Sequence, residues 1–135
     1  LDNINPDVLA GSQRADLILA QRSVPETITR LVTERQPDVV GLSVMTFQRK
    51  TARKIVALVK RLRPSAKVVV GGYDPSLAPE AYRCDESVDF IVHGEGDLTF
   101  RELVRTIEHG GDCGAIAGLS YRRDGRFVRN PPRES

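Results

Sequence analysis

Apolar residues in this sequence gather in short continuous runs that are followed by small or polar residues. Three such runs lie at residues 38–44, 67–71 and 88–92. Runs that are apolar on both faces are typical of parallel strands covered by helices on both sides. An earlier run at residues 15–21 is the first stretch of the chain that predicts a strand.

Between these runs, apolar residues recur every three or four positions, which is the spacing of one face of a helix. This spacing predicts helices at residues 23–35, 49–62 and 98–109, and a leading proline predicts a short helix at residues 79–82. Ser23 is the expected cap of the first helix. The alternation of strand and helix indicates an α/β fold with a mostly parallel sheet, right-handed connections and helices on both faces.

The end of the chain has a different pattern. Residues 118–122 and 126–129 are two short extended runs, and the Asp-Gly pair between them is a strong signal for a β-hairpin. The Asn-Pro-Pro that follows leaves regular structure and is typical of a linker. We therefore divide the chain into an irregular segment (1–14), an α/β domain (15–117), a β-hairpin (118–129) and a linker (130–135).

Composition adds limits to this picture. The chain has 135 residues, 40% of them hydrophobic and 5% aromatic with no Trp, so we expect one aliphatic core. The net charge of +2 is too small to indicate a nucleic-acid partner. The sequence contains no signal peptide and no apolar run that approaches a membrane span, which predicts a cytoplasmic protein. Cys84 and Cys113 lack metal-ligand spacing, and we expect two free thiols.

Small and polar residues follow three of the predicted strands at the points where those strands end. They lie at residues 43–46, 71–73 and 94–97. Glycine lets a backbone come close to another group, and open α/β sheets bind ligands in the crevice outside the carboxyl ends of their strands. We therefore predict that these three loops form one site.

Four stretches of the sequence carry a resemblance to a known family. They are PDVVGLSVMT at 37–46, KVVVGG at 67–72, VDFIVHGEGDLTFREL at 88–103 and GLSYRRDGRFVRNPPR at 118–133. In this order they resemble the cobalamin-binding domain of B12-dependent radical SAM enzymes, the group that includes the anaerobic magnesium-protoporphyrin ester cyclase. The resemblance covers about residues 15–133 and implies a flavodoxin-like (Rossmann-like) sheet that lies ahead of a radical SAM barrel.

The resemblance also implies where a corrinoid lies, which is across the carboxyl ends of the strands. Carried over by position, the cofactor-binding residues are Ser43, Val44, Met45, Thr46, Gly71, Gly72, Tyr73, Gly94, Glu95, Gly96 and Asp97.

The chemistry of these residues suits such a ligand. Gly71 and Gly72 are expected to remove side chains where a flat macrocycle approaches, and Ser43 and Thr46 offer hydroxyl groups to its side arms. Backbone amides near Asp97, at the start of a helix, suit an amide or a phosphate. The carboxylate there also has a purely structural interpretation as a helix cap.

The resemblance implies that the catalytic chemistry belongs to a separate domain. The Asp, His, Gly motif of classical corrinoid proteins is missing, and the resemblance implies binding without a protein histidine, although His93 ends a strand near the predicted site. We assign no catalytic residue and no metal ligand. The three-cysteine motif of a radical SAM cluster is absent, so the resemblance implies that S-adenosylmethionine and the 4Fe-4S cluster belong to a C-terminal radical SAM domain joined after Pro132. The chain begins at Leu1, and we expect it to be part of a longer protein.

The leading hypothesis is therefore the cobalamin-binding module of a B12-dependent radical SAM methyltransferase or cyclase. One alternative is a degenerate cobalamin-like domain that serves only structural or interdomain contacts. Another is an α/β module for a different ligand. A receiver domain is disfavoured because Ser43 and its neighbours include no Asp, and a dinucleotide site because Gly96 is not followed by a third glycine.

The sequence departs from the family pattern at two places. Tyr73 and Asp74 stand where many relatives carry Pro-His. The strand that begins the family fold, which lies in the middle of its sheet, is not evident in residues 1–14. We expect that residues 7–10 supply a short strand, that residues 15–21 shift inward, or that two chains pair as a homodimer through unpaired sheet edges.

Overall fold

A five-stranded mixed sheet forms the centre of the protein. The computed structural model describes Ile4–Asn5, Leu17–Ile18 and residues 24–134. The five strands lie side by side in the order of the sequence. They are β3 (Val39–Ser43), β4 (Lys67–Gly71), β5 (Phe90–Val92), β6 (Leu119–Arg123) and β7 (Arg126–Arg129). Only β6 runs against the others, so the predicted mostly parallel sheet is confirmed.

The register of the parallel strands places their carboxyl ends at one edge of the sheet. Ser43, the last residue of β3, pairs with Gly71, the last residue of β4. Val70 pairs with Ile91 in β5, which ends one residue later. The loops that follow β3, β4 and β5 therefore begin side by side, as the sequence predicted.

Helices cover both faces of the sheet. The helices are α1 (Val24–Arg35), α2 (Arg49–Leu62), α3 (Tyr73–Leu77), α4 (Glu80–Arg83) and α5 (Asp97–His109). Side chains of β4 alternate between two cores: Val68 and Val70 pack with residues of α1, α2 and α4, and Val69 packs with Leu103 of α5. Because all three valines are buried, β4 has the pattern of a central strand in a three-layer fold.

Four short elements in the described residues were not predicted. The longest is α3, which contains Pro75 and begins directly after Gly72. The others are the strand Ile4–Asn5 and single helical turns at Thr46–Gln48 and Cys113–Ala115. None is long enough to produce a hydrophobic period, so the pattern of apolar residues carried no signal for them. Both cysteines are free, as expected.

The hairpin that joins β6 to β7 is confirmed. Its turn consists of Asp124 (φ 53°) and Gly125 (φ 81°), and Arg123 pairs with Arg126 across it. Both turn residues have positive φ, which is the geometry that favours Asp-Gly in two-residue hairpin loops. This hairpin extends the sheet beyond β5.

The N-terminal strands form a separate small sheet. Ile4–Asn5 (β1) pairs antiparallel with Leu17–Ile18 (β2). The expectation that residues 15–21 shift into the main sheet is wrong for the part described, because Leu17–Ile18 pairs with β1 instead. Within the described ranges, no strand pairs with the outer edge of β3. Residues 7–10 and the predicted cap Ser23 lie outside the described residues.

None of the helices in the described ranges has the length and apolar character needed to cross a bilayer.

Candidate functional site

The loops after β3 and β4 are joined by two backbone hydrogen bonds. We call residues 43–48 the first loop, residues 71–77 the second and residues 93–97 the third. The N–H of Val44 donates to the carbonyl of Gly71 at 2.8 Å, and the N–H of Asp74 donates to the carbonyl of Val44 at 2.9 Å. Val44 is buried between the two loops. The first and second loops therefore form one continuous wall.

Gly72 lies in this wall with its backbone in the left-handed region, at a φ of 101°. A Cβ at this position would lie 2.8 Å from the backbone nitrogen of Val44 and 2.9 Å from Oγ of Ser43. A Cβ at Gly71 would contact Val92 of β5 at 3.4 Å. For Gly72, the interpretation that the missing side chain leaves space for a macrocycle is wrong, because the protein itself fills the space that a side chain would take. At Gly71 a Cβ would make an ordinary van der Waals contact with Val92, so the same interpretation of Gly71 stays a prediction.

The glycines of the third loop differ from each other. Gly94 has a φ of 72°, and no atom lies within 4 Å of a Cβ built there. A Cβ at Gly96, in contrast, would lie 2.8 Å from Cγ1 of Val92. Gly94 is therefore the glycine of the predicted site whose missing side chain opens onto empty space.

Helix α5 begins at the end of the third loop. Its N-cap residue is Gly96, which has no side chain to cap the helix, and its first residue is Asp97. Glu95 and Asp97 are both exposed. A carboxylate in the first turn is favourable for the helix dipole. The backbone N–H groups of that turn are the natural donors for an amide or an anion at this edge.

An ion pair with a buried carboxylate lies under the second loop. Asp74 is 1% exposed. Arg49, the first residue of α2, donates to both of its carboxylate oxygens, at 2.7 and 2.8 Å. The hydroxyl of Tyr82 in α4 donates to the same carboxylate at 2.6 Å. Burial raises the pKa of Tyr82, and the hydrogen bond to Asp74 raises it further. The cluster fastens α2, α3 and α4 to one another.

Neither this cluster nor the serine that joins the second and third loops was predicted from the sequence. A basic residue in the first turn of a helix is unfavourable for the helix dipole, so Arg49 was a signal that an anion had to lie nearby. No comparable signal marked Ser76. Its hydroxyl donates to the carbonyl of Gly72 at 2.7 Å and accepts from the N–H of Gly94 at 2.8 Å.

Large apolar side chains are exposed around these loops. The described part of the chain has six exposed large hydrophobic residues, and all but Leu62 lie on the three loops or on the first turns that follow them. Single exposed apolar residues are ordinary, whereas a group of them at one edge marks a surface that binds something. The five are Met45 (45% exposed), Phe47 (81%), Tyr73 (58%), Leu77 (66%) and Leu98 (49%).

The ring of His93 contacts the hairpin, which argues against the role of an axial ligand. Its Nε2 lies 2.7 Å from Oγ of Ser120 in β6. Its Nδ1 is buried and has no hydrogen-bond partner among the described residues. Burial, together with the smaller effect of the charges of Arg129 and Arg83, lowers the pKa of His93 to about 4. The ring is therefore neutral at ordinary pH and fastens the third loop to the hairpin.

Three further residues of the predicted site lie at the end of β3 or just after it. Ser43 and Met45 are exposed at the end of β3, and Thr46 begins a helical turn at Thr46–Gln48.

Residues 4–104 match the family described as B12 binding domain. The chain belongs to the B12-binding domain family.

Relatives of this B12-binding domain agree with the resemblance seen in its sequence. Uncharacterized methyltransferase PH0819 of Pyrococcus horikoshii is 33% identical over 85% of this chain and 25% of its own length. Cobalamin-dependent radical SAM methyltransferase TokK of Streptomyces tokunonensis is 35% identical over 71% of this chain and 14% of TokK. An anaerobic magnesium-protoporphyrin IX monomethyl ester cyclase of Rubrivivax gelatinosus is 29% identical over 84% of this chain and 20% of the cyclase. This B12-binding domain thus spans a quarter or less of each relative.

A solved structure has the same fold. Radical S-adenosylmethionine methyltransferase TsrM from Kitasatospora setae, with cobalamin and a 4Fe-4S cluster bound, superposes with a TM-score of 0.73 and 27% identity. The match covers 82% of this B12-binding domain and 21% of TsrM. The flavodoxin-like α/β class predicted from the sequence is confirmed.

Proposed function

We propose that this domain holds cobalamin across its three loops and presents it to a radical SAM domain of the same parent chain. The observation that carries the proposal is the group of exposed apolar side chains at the carboxyl edge of the sheet, in a chain of the B12-binding domain family. A macrocycle with apolar faces and polar side arms suits such a surface. Cobalamin would supply a cobalt-bound alkyl group there, and S-adenosylmethionine and the 4Fe-4S cluster would act in the radical SAM domain.

The residues of the site take different roles in this proposal. Met45, Tyr73 and Leu98 supply apolar contact, and the exposed hydroxyl of Ser43 supplies a hydrogen bond. The open backbone at Gly94 lets the ligand approach the third loop.

The other predicted binding residues support the surface from below or from the side. Val44, Gly71, Gly72 and Gly96 pack against the protein's own backbone and side chains, so they shape the floor. Glu95 and Asp97 flank the donors at the start of α5.

Catalysis belongs to the parent protein in this proposal. The chain contains two cysteines, which is fewer than the three that a radical SAM cluster motif needs. The proposed parent reaction is a radical methyl transfer or a cyclisation. The cytoplasmic location and the homodimer stay predictions of the sequence.

The test is retention of hydroxocobalamin. The chain is mixed with excess hydroxocobalamin and desalted, and its visible spectrum is recorded. We expect retained corrinoid with a base-off spectrum and without a histidine ligand to cobalt, the latter because Nε2 of His93 contacts Ser120 of β6. A folded chain that retains no corrinoid would contradict the proposal and favour the structural, interdomain alternative or a different ligand.

A matched pair of glycine variants tests where the ligand lies. Gly94→Leu adds a side chain in the open space of the third loop. Gly110→Leu adds the same side chain at a similar φ of 65°, also in open space, at the far end of α5. Both variants carry the same left-handed strain. We expect only Gly94→Leu to lose hydroxocobalamin, and equal retention by the two would place the ligand elsewhere.

A further inference from the structure

Among the described residues, one serine hydroxyl links the second loop to the third by hydrogen bonds. Ser76 is the fourth residue of α3, in the second loop. Its Oγ donates to the carbonyl of Gly72 at 2.7 Å, and the N–H of Gly94 donates to the same oxygen at 2.8 Å. A backbone N–H can only donate and a carbonyl can only accept, so the direction of both hydrogen bonds is fixed.

The two ends of this bridge differ in how their backbones are held. Gly72 and Gly94 each have positive φ, at 101° and 72°. Gly72 is packed against Val44, so its carbonyl is a fixed point. No atom lies within 4 Å of a Cβ built at Gly94, so packing on that side does not hold it and its orientation depends on the hydrogen bonds of its own backbone. Ser76 therefore transmits the position of the rigid second loop to the third loop.

The bridge matters for a ligand that contacts both loops. The distance between Tyr73 on the second loop and Leu98 beyond the third sets the width of the apolar surface. If the third loop is free to move, binding must pay for its ordering, and affinity falls without the loss of any direct contact.

We propose that Ser76 is a positioning residue that pre-organises the third loop for the corrinoid. This inference rests on the proposed function. Ser76 acts through Gly94 and makes no contact with the ligand itself.

Two measurements on the same variants test this inference. The first is the Kd for hydroxocobalamin by equilibrium dialysis. The second is hydrogen–deuterium exchange of the Gly94 amide without any corrinoid, which reports the bridge directly. We expect Ser76→Ala to raise the Kd about tenfold, because two hydrogen bonds that order the loop are lost. We expect the Gly94 amide to exchange faster in the same variant. Ser76→Thr keeps the hydroxyl and should restore both values.

Thr29→Ala is the matched control for a merely structural role. The Thr29 hydroxyl donates to the carbonyl of Pro25 four residues earlier at 2.7 Å, as Ser76 does to Gly72, but on α1. Its removal should lower Tm slightly and leave the Kd and the Gly94 exchange unchanged.

Each contrary result has a separate meaning. Unchanged exchange at Gly94 in Ser76→Ala, or a Ser76→Thr variant as weak as Ser76→Ala, would overturn the bridge. Faster exchange with an unchanged Kd would overturn its role in binding. A wild-type chain that binds no hydroxocobalamin would overturn the proposed function, and the corrinoid role of Ser76 with it, even if exchange at Gly94 still responds.

Discussion

The second and third loops follow neighbouring parallel strands, yet they are held in very different ways. In the second loop, Gly72 packs against the first loop and Asp74 is buried in an ion pair. In the third loop, Gly94 is surrounded by open space and its N–H depends on a serine hydroxyl. A segment with few buried contacts opens more easily than one fixed by a buried network. The second loop is therefore the rigid wall of the site, and the third loop is its adjustable wall.

The two left-handed glycines give the largest expected contrast between these walls. Gly72→Ala places a methyl group 2.8 Å from the backbone nitrogen of Val44, in addition to the strain of a φ of 101°. We expect it to lower the free energy of unfolding by about 3 kcal/mol. Gly94→Ala meets no atom within 4 Å and should cost about 1 kcal/mol, from backbone strain alone.

Urea unfolding of the two variants beside the wild type measures this difference. Equal losses in the two variants would show that the loops are packed alike, and the distinction between a rigid and an adjustable wall would fail.

The ion pair provides a second, smaller contrast. Asp74→Asn keeps the size of the side chain but removes the charge that Arg49 and Tyr82 both contact. We expect the free energy of unfolding to fall by about 2 kcal/mol, because a buried charged hydrogen-bond network is broken. Exchange of the Gly94 amide should rise less than in Ser76→Ala, since the hydroxyl that accepts from this amide is kept.

A control for this variant lies one turn further along α2. Arg53→Gln removes an ion pair with Asp85 in which the two atoms are 3.6 Å apart. The two arginines are similarly exposed, at 52% for Arg53 and 40% for Arg49, but the Arg53 pair lacks the two short hydrogen bonds of the Asp74 pair. A long ion pair of a half-exposed arginine contributes little, so urea unfolding should detect a much smaller change. A loss as large as that of Asp74→Asn would mean that the short hydrogen bonds to Asp74 do not set the value of its pair.

The sequence predicted those parts of the molecule that depend on local pattern. Helix α2 lies at the predicted residues, and the hairpin forms at Asp124 because both turn residues accept positive φ. The three loops meet because parallel strands place their carboxyl ends at one edge. Pairs distant in sequence had no such local signal, as with Arg49 and Asp74, which are 25 residues apart.

The physical reason for Gly72 was also beyond the reach of the sequence. A glycine at a strand end indicates a close approach, but the pattern does not say whether a ligand or the protein makes it. Only the positions of Val44 and Ser43 decide that question, in favour of the protein.

The smallest expected effect concerns the first residue of the third loop, His93. Its ring contacts Ser120, and the backbone N–H of His93 donates to the carbonyl of Gly118. Burial lowers the pKa of His93 to about 4 in the folded state, with Arg129 and Arg83 contributing, against 6.5 for an ordinary histidine. The unfolded chain therefore takes up the proton first as the pH falls. The contribution of a neutral His93 to the free energy of unfolding is therefore fully present above pH 6.5 and is lost as the pH falls toward 4. At pH 5 the free energy of unfolding is lower by about 1–2 kcal/mol.

Urea unfolding at pH 7 and pH 5 isolates this contribution when wild type is compared with His93→Gln and His109→Gln. His109 is exposed at the end of α5, so its variant should keep the wild-type loss of stability at pH 5, whereas His93→Gln should show a smaller loss. In the wild type, the protection factor of the Gly94 amide should also fall more between pH 7 and pH 5 than the protection factors of the second loop, because His93 lies in the third loop. The protection factor corrects for the slower intrinsic exchange of all amides in acid. If His93→Gln loses as much stability at pH 5 as the wild type, the acid sensitivity lies in other groups, and the third loop is not anchored through a neutral His93.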